Sequence, residues 1–344
     1  MVQKWSTVIR YKQIPQRSPA WYSIRGHYVT GSDFASLVPL SNVYLNHYFD
    51  YFGIIDDNFK KTKYGGIKTL KEWYGSRLKA QSDTSASSSS SGSFSAAAHG
   101  VLFEDVVFNL VAQKMGAVAK PLGLVICPHN DYCAISPDGV LCCENGDAMS
   151  LELKCVTTRQ ISTSHIPFSY FMQTEFAAWQ LGCSSGIYCE ADIMQVSEIY
   201  WQQHSAAPVT LSNYRTNGYH SFGLLLYNLA TKTHHIPPQF IHVPSQFLKW
   251  RASLIKDDPD DWKTIYYKIN DIQILKIPVR QNFETLFAPI LKEHHDRLMT
   301  YTKNPAEFLR DFPSNNATKS ENNTEKATTT GEDWLLNYAG PFIA

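Results

Sequence analysis

The chain has 344 residues, of which 44% are hydrophobic and 13% aromatic, and this composition excludes general disorder. There are 31 lysine and arginine residues and 31 aspartate and glutamate residues, so the formal net charge is zero. The net charge therefore gives no indication of a nucleic-acid partner. The sequence shows neither a signal peptide nor a run of about 18 apolar residues. We therefore expect a soluble, intracellular protein that does not enter a membrane.

The seven cysteines are an odd number, and they favour reduced thiols in a reducing compartment. The alternative is a zinc or iron–sulfur site that uses Cys127, Cys133 and either Cys142 or Cys143. Its spacing matches no standard zinc pattern, so thiols are the simpler interpretation.

Residues 60–79 are dense in positive charge and contain interleaved aromatic side chains. Such a run is usually a solvated surface, but its composition also suits phosphate contacts combined with base stacking. The basic residues are Lys60, Lys61, Lys63, Lys68, Lys71, Arg77 and Lys79, and the aromatic residues are Tyr64, Trp73 and Tyr74. Residues 82–98 are Ser-rich and lack bulky apolar groups, which predicts a flexible surface loop.

The middle of the chain predicts an α/β domain. Apolar residues at i, i+4 and i+8 in 99–116 predict a helix. Four short apolar runs between 118 and 155, separated by turn residues, predict a β-meander in the middle of one sheet. A second helix is predicted over 168–181, and further strands are expected at 184–190 and 197–202. We expect a central mixed β-sheet flanked by helices.

The C-terminal part is predicted to be an α+β extension, residues 206–312, packed on a core of residues 1–205. Within it, SFGLLLYNL has strand character, and 245–255 and 283–300 are typical of helices. Residues 313–332 are predicted to be disordered, and 333–344 to form a short docking segment.

Two short motifs bring acidic and basic groups together. Ser-Pro-Asp-Gly (136–139) precedes Leu-Glu-Leu-Lys-Cys (151–155) across a predicted hairpin. Because side chains alternate faces along a strand, Glu152 and Lys154 point to one side. Asp138, at a junction of strand and turn, can converge on Glu152.

This set suits phosphodiester hydrolysis. Two carboxylates can hold Mg²⁺ through hard oxygen ligands, and the ion activates a water molecule. A lysine beside that water orients it and stabilises developing negative charge. The alternative is a salt bridge within one strand next to an ordinary turn.

The chain resembles the YqaJ and lambda-exonuclease family of PD-(D/E)xK nucleases over about residues 17–205. Five ordered signals carry the resemblance: the 17–32 segment with RSPAWYSIR and VTGS, His99-Gly100 with Glu104, the two motifs above, and Tyr-Phe-Met-Gln at 170–173. The resemblance implies a restriction-endonuclease-like core. The additional length after residue 205 resembles the form carried by large cytoplasmic DNA viruses, such as African swine fever virus, which would place the protein in the host cytoplasm.

The resemblance also implies a role for each matching residue. Asp138, Glu152 and the main-chain carbonyl of Leu153 would bind the metal, and Lys154 would be the catalytic lysine. Glu104 would face the same site and bind metal directly or through water, although it could instead face solvent. Gln173 would position water or a phosphate, with Glu175 as an alternative. Arg25 and Ser32 would hold a 5′-terminal phosphate, to which a guanidinium is well suited, unless Arg25 pairs with an acidic neighbour.

The family pattern implies a Mg²⁺-dependent 5′→3′ exonuclease on double-stranded DNA with 5′-phosphate ends, in which Mn²⁺ can substitute. Its 3′ single strands would serve recombination, repair or viral genome processing. Implied partners are a single-strand annealing protein and further copies of the chain in a homo-oligomer. The alternatives are an endonuclease with the same core and a non-catalytic DNA-binding or host-interacting relative.

Overall fold

The computed structural model describes residues 3–38, 42–53, 69–82, 96–127, 130–157, 159–162, 164–204, 221–237, 244–255 and 261–313. Several predicted features lie outside these residues. They are most of the Ser-rich loop, the predicted disordered and docking segments after residue 313, and Lys60, Lys61, Lys63 and Lys68.

The described chain contains both helices and strands, with a run of helices before the strands of the central region. The helices are α1 (Trp5–Val8), α2 (Pro19–Arg25), α3 (Phe34–Leu37), α4 (Asn42–Phe52), α5 (Leu70–Ser82), α6 (Ala96–Met115), α7 (Phe168–Gln180), α8 (Glu198–His204), α9 (Pro244–Leu254), α10 (Phe283–Lys303) and α11 (Pro305–Asp311). The strands are β1 (Gln13–Ile14), β2 (Val29–Thr30), β3 (Val118–Pro121), β4 (Leu124–Ile126), β5 (Cys133–Ile135), β6 (Gly139–Cys142), β7 (Ala148–Val156), β8 (Ser185–Val196), β9 (Ser221–Asn228), β10 (His234–His235) and β11 (Trp262–Pro278).

A seven-stranded mixed sheet forms the centre of the molecule, with the order β10-β9-β11-β8-β7-β6-β3. β7 and β8 are parallel, and α7 connects them, as a parallel pair requires a crossover. The other neighbouring pairs in this sheet are antiparallel. The expected α/β class, a mixed sheet flanked by helices, is therefore confirmed.

The two faces of β7 contact different helices. Leu151 and Leu153 lie in a buried cluster with Phe103 and Val107 of α6, the helix predicted from apolar spacing. The alternate residues of β7 face α7, where Gln173 Nε2 contacts the Glu152 carboxylate. Alternation along β7 thus places its polar residues on the α7 side of the sheet.

The predicted four-stranded meander is wrong in one respect. β4 and β5 do not continue the large sheet but pair with β1 and β2 in a separate sheet of order β1-β4-β5-β2. Their partners come from residues 13–14 and 29–30, more than a hundred positions earlier in the chain. Local alternation cannot reveal such distant partners.

The strand predicted at Ser197–Gln202 is also wrong, because this segment begins the helix α8. Ser197 Oγ accepts a hydrogen bond of 3.1 Å from the Tyr200 backbone N–H, which stabilises the helix start. Trp201 is fully buried, and its ring lies 5.2 Å from that of Tyr266. Tertiary packing of one aromatic side chain therefore outweighs local strand propensity.

The C-terminal part contributes strands to the same sheet. The predicted strand at 221–228 and the helices α9 and α10 are confirmed. The 17-residue β11 is not predicted, since its charged and amide residues interrupt the apolar alternation, and a bulge shifts the register between Ile269 and Asp271. The division of the chain at residue 205 stays a prediction. No helix in the described part of the chain has the length and apolar character needed to cross a membrane.

Candidate active site

A cavity of about 950 Å³ opens between β7, α7 and the segment that joins α2 to α3. Six residues that the sequence singles out line it: Arg25, Ser32, Asp138, Glu152, Lys154 and Gln173. We call the side formed by Asp138, Glu152 and Lys154 the sheet wall. The side formed by Arg25 and Ser32 is the helix wall.

Asp138 is fixed by the backbone of β7. It lies between β5 and β6, and its Oδ2 accepts a hydrogen bond of 2.6 Å from the Leu153 N–H. Since the N–H and C=O of one strand residue point to the same side, the Leu153 carbonyl is also directed towards Asp138. A carboxylate and a main-chain oxygen therefore lie side by side.

Glu152 is the polar centre of the sheet wall and is only 3% exposed. Its Oε1 accepts hydrogen bonds from the Lys154 ammonium and, at 2.6 Å, from Gln173 Nε2. Lys154 Nζ also lies 5.1 Å from the centre of the Tyr170 ring. The close approach of Glu152 and Lys154 agrees with the alternation of strand side chains.

Burial and like charge act together on the two carboxyl groups. Burial raises the pKa of Asp138 well above its usual value, and the Glu152 charge raises it further. Burial likewise raises the pKa of Glu152, although Lys154 opposes this. For Lys154, burial lowers the pKa, but the charges of Glu152 and Asp138 outweigh burial and the net shift is upward. The sheet wall is thus a pair of buried carboxyl groups whose charged forms the Lys154 ammonium stabilises.

The donor set of the sheet wall fits a hard divalent cation, since carboxylate and carbonyl oxygens are its preferred ligands. The set consists of Asp138, Glu152 and the Leu153 carbonyl. Among the described residues, no three Asp, Glu, His or Cys side chains are grouped to hold one ion.

Glu104 is not among the residues that line the cavity, but it contacts one that is. Its Oε2 accepts a hydrogen bond of 2.5 Å from Arg17, whose side chain does line the cavity. The Glu104 charge is still close enough to raise the pKa of Asp138. Its direct binding of metal stays a prediction.

The structure separates the two candidate polar residues of α7. Gln173 points to Glu152, whereas Glu175 is fully buried on another side of the helix. Arg280 holds Glu175 through two side-chain hydrogen bonds, Nε–Oε1 at 2.8 Å and Nη2–Oε2 at 2.6 Å. Glu175 is therefore a structural residue and cannot replace Gln173 in the cavity.

The helix wall presents a guanidinium and a hydroxyl. Arg25 Nη2 donates a hydrogen bond of 2.5 Å to Ser32 Oγ, and the guanidinium lies 4.6 Å from the Trp21 ring centre. Trp21 Nε1 in turn donates to Ser136 Oγ at 3.0 Å, next to the sheet wall. A guanidinium with an adjacent hydroxyl can bind a phosphate.

In the described part of the basic segment, the aromatic residues and Arg77 lie in the interior, whereas contact of Lys71 or Lys79 with DNA stays a prediction. Trp73 and Tyr74 are fully buried, so they cannot stack on bases. Lys71 does not line the cavity, and its Nζ donates to the Pro313 carbonyl at 2.8 Å. Arg77 is 7% exposed and points inward. The two aromatic residues of α5 therefore belong to the core.

One polar cluster beside the site is not predicted from the sequence. Glu190 of β8 is fully buried, forms an ion pair with Arg159, and accepts a hydrogen bond of 2.7 Å from the Tyr188 hydroxyl. Arg159 lines the cavity, and the Tyr170 and Tyr188 rings are stacked at 6.0 Å. Glu190, an acid between the apolar residues Cys189 and Ala191 of β8, is the signal that could have pointed to this cluster.

The cysteines form no metal site in the described part of the chain, where all seven are free thiols. Burial raises the pKa of Cys155 to about 12 and also raises that of Cys127. The predicted thiols are therefore present, and the zinc alternative has no support from the geometry.

Residues 20–184 match the model of the family described as the YqaJ-like viral recombinase domain. This segment contains the sheet wall, the helix wall and Gln173. The match therefore agrees with the resemblance drawn from the sequence motifs.

Among solved structures, an alkaline exonuclease (LHK-Exo) from Laribacter hongkongensis is 14% identical, with a TM-score of 0.40, and covers 86% of this chain and 97% of that one. Its complex with dAMP is 13% identical, with a TM-score of 0.42 and the same coverage. A phage-related exonuclease from Haemophilus somnus 129PT is 12% identical, with a TM-score of 0.37, covering 81% of this chain and 95% of that one. TM-scores this low carry no conclusion about function. No curated protein is significantly similar to the chain.

Proposed function

We propose that the protein is a Mg²⁺-dependent nuclease that removes nucleotides from the 5′ ends of double-stranded DNA. The observation that carries this proposal is the meeting of Asp138, Glu152 and Lys154 in a cavity that Arg25 and Ser32 also line. Acidic and basic groups around one cavity suit a substrate that carries a phosphate and needs a cation at the bond to be broken.

The divalent ion would be held by Asp138, Glu152 and the Leu153 carbonyl, and would supply charge neutralisation and a more acidic water. Mn²⁺ has the same preference for oxygen ligands and would substitute. Glu104 would add negative charge close to the site.

Lys154 and Gln173 supply the hydrogen-bond donors of the reaction. In the free protein both donate to Glu152 Oε1. With a divalent ion bound, Lys154 would be able to donate a hydrogen bond to the attacking water or to a phosphoryl oxygen, where charge develops. Gln173 can orient the same water or the neighbouring phosphate.

The helix wall favours action at an end of a DNA strand. Arg25 and Ser32 together offer a charge-assisted bond and a hydroxyl to a terminal phosphate, which carries more charge than an internal one. Binding of the 5′ phosphate there would place the first internal phosphodiester at the sheet wall, which gives 5′→3′ polarity.

The test is digestion of linear duplex DNA carrying a 5′ phosphate, with Mg²⁺, with Mn²⁺ and with a chelator. We expect metal-dependent digestion that Glu152→Ala and Lys154→Ala abolish. Lys4→Ala is the matched control, because Lys4 is an exposed lysine paired with Asp147 away from the cavity. Intact DNA with the wild-type protein, or equal digestion by all variants, contradicts the proposal.

Two further substrates separate the alternatives. Covalently closed circular DNA should stay intact, because an exonuclease needs an end, whereas an endonuclease nicks it. Duplex labelled separately at each terminus should release the 5′ label first. Metal-dependent thermal stabilisation that is lost in Asp138→Asn separates an enzyme from a non-catalytic relative.

The 3′ single strands produced by this activity would be substrates for a single-strand annealing protein in recombination, repair or viral genome processing. Assembly into a homo-oligomer and an origin in a large cytoplasmic DNA virus belong to the same proposal. Measurement of the molecular mass in solution tests whether the protein forms a homo-oligomer.

A further inference from the structure

Arg77 of α5 connects the two ends of the segment that carries the helix wall. Its Nη1 donates to the Arg25 carbonyl at 2.7 Å, where α2 ends. Its Nη2 donates to Thr30 Oγ1 at 2.9 Å and forms an ion pair with Asp33. One guanidinium therefore fixes the backbone of Arg25 and the turn Gly31–Asp33 relative to one another.

The same contacts continue to the side chains that face the cavity. Thr30 Oγ1 donates to Asp33 Oδ2 at 2.5 Å, so its lone pairs are left to accept from Arg77 and from Ser32 Oγ, 3.3 Å away. Ser32 Oγ in turn accepts from Arg25 at 2.5 Å. Buried groups thus form one chain of hydrogen bonds that ends at Arg25 and Ser32, the two side chains of the helix wall.

The elements joined by this chain have little regular structure of their own. The turn Gly31–Asp33 has no side-chain cap at its start, and α3, which follows it, has four residues. Ser32 is exposed and Arg25 is partly exposed, whereas Thr30, Asp33 and Arg77 are all under 9% exposed. Rigidity at the helix wall must therefore come from the buried contacts beneath it.

We infer that Arg77 is a positioning residue that holds Arg25 and Ser32 in the geometry that binds a 5′-terminal phosphate, and so sets the preference for 5′-phosphorylated ends. This inference rests on the proposed function of the helix wall. A lysine cannot replace Arg77 fully, because it lacks the planar fork that reaches a carbonyl and a carboxylate at once.

The experiment measures binding of a short duplex with a chelator present, so that no cleavage is needed. Fluorescence anisotropy gives the Kd for ends carrying a 5′ phosphate and for ends carrying a 5′ hydroxyl. We expect wild-type protein to prefer the phosphate, and Arg77→Gln to lower that preference about tenfold, with affinity for hydroxyl ends unchanged within about twofold. Arg77→Lys should restore part of the preference.

Arg280→Gln is the matched control. Arg280 is also a buried arginine, 8% exposed, and it pairs with Glu175 without lining the cavity. Its loss should lower thermal stability and leave the phosphate preference unchanged. Asp33→Asn keeps the hydrogen bond from Thr30 but removes the charge, and it provides a second measurement if Arg77→Gln fails to fold.

The outcomes are distinct. A folded Arg77→Gln protein, or Asp33→Asn in its place, with the wild-type preference overturns the inference, and so does equal loss of preference in Arg280→Gln. Wild-type protein that cleaves DNA but shows no phosphate preference also overturns it and leaves the nuclease proposal intact. Absence of cleavage by wild type contradicts the proposed function, while the binding ratio still decides the role of Arg77.

Discussion

The sheet wall and the helix wall of the cavity reach their geometry by different means. On the sheet wall, Glu152 and Lys154 are two residues apart on one strand, and the backbone of that strand also binds Asp138. On the helix wall, Arg25 and Ser32 lie on a short helix and a turn. Their contacts to the core come from Arg77, about fifty residues later.

The geometry of the sheet wall is therefore more robust than that of the helix wall. Alternation along β7 places Glu152 and Lys154 on one face of the sheet. The register of this strand is strongly specified, because a slip by one residue would move its apolar side chains out of the core. The helix wall depends on buried polar contacts between distant segments, where loss of one partner leaves others unsatisfied. We expect changes on the sheet wall to affect the chemical step, and changes on the helix wall to affect binding.

Replacement of Lys154 gives the largest expected effect, a loss of kcat. Lys154→Met should lower kcat roughly a thousandfold, because it removes the donor nearest to the developing charge. Affinity for 5′-phosphorylated duplex should change by less than about threefold. Single-turnover kinetics and anisotropy measure the two quantities. A large loss of affinity with kcat unchanged would reverse the roles of the two walls.

Replacement of Arg25 should have a smaller effect, and this effect should be on the affinity for DNA and not on kcat. Arg25→Gln should weaken binding of 5′-phosphorylated duplex about 30-fold, since a charge-assisted hydrogen bond is worth roughly 2 kcal/mol. Cleavage at saturating DNA should stay within about threefold of wild type. Equal weakening for phosphate and hydroxyl ends would show that Arg25 does not recognise the terminal phosphate.

The carboxylate pair makes a prediction about metal removal. Because the pKa of Asp138 is raised, its ionisation opposes folding, and the stability of the metal-free protein decreases as pH rises through that pKa. Asp138→Asn keeps the acceptor for Leu153 N–H and should stabilise the metal-free protein at pH 7 by about 1 kcal/mol. It should also abolish stabilisation by Mg²⁺.

Thermal unfolding with a chelator and with Mg²⁺ measures both effects. Asp147→Asn is the control, since Lys4 lowers the pKa of this exposed carboxyl and its loss should not stabilise the protein. A metal-free Asp138→Asn protein that is less stable than wild type would show that burial of the Asp138 charge beside Glu152 is not the dominant effect.

A histidine beneath the helix wall gives the smallest effect. His294 of α10 donates from Nε2 to the Leu37 carbonyl at 3.1 Å, and its Nδ1 accepts from the Tyr74 hydroxyl at 2.8 Å. Burial lowers its pKa, so protonation opposes folding and stability falls as pH decreases below the ordinary value of 6.5.

Urea unfolding at pH 7.5 and pH 5.5 measures this contribution. Wild-type protein should lose about 1 kcal/mol more stability between these pH values than His294→Gln. His99 also has a pKa lowered by burial and remains in both proteins, so the comparison isolates His294. An identical pH dependence in the two proteins would contradict the assignment.

The sequence predicts most of the sheet wall and less of the helix wall. The helices α6 and α7 and the strand β7 follow from apolar periodicity, and alternation alone places Glu152 beside Lys154. The separate sheet of β4 and β5, the inward direction of Arg77 and the burial of Trp73 do not follow. They depend on partners that are distant in sequence, and composition in 60–79 indicates charge without showing which residues point inward.

The roles of the acidic residues are equally difficult to predict from the sequence. Glu104, Glu175 and Glu190 look alike in sequence, yet the first binds Arg17, the second Arg280 and the third Arg159. Only tertiary contacts distinguish a carboxylate that faces the cavity from one that serves as a counter-ion.

The long strand β11 has a practical consequence for shortening the protein. It pairs with β8 along one side and with β9 along the other. A chain that stopped after His204 would retain every cavity residue, but β8 would present a row of unpaired backbone N–H and C=O groups over Ser185–Val196. Exposed strands of this length recruit other chains, so we expect such a fragment to aggregate instead of yielding a minimal enzyme.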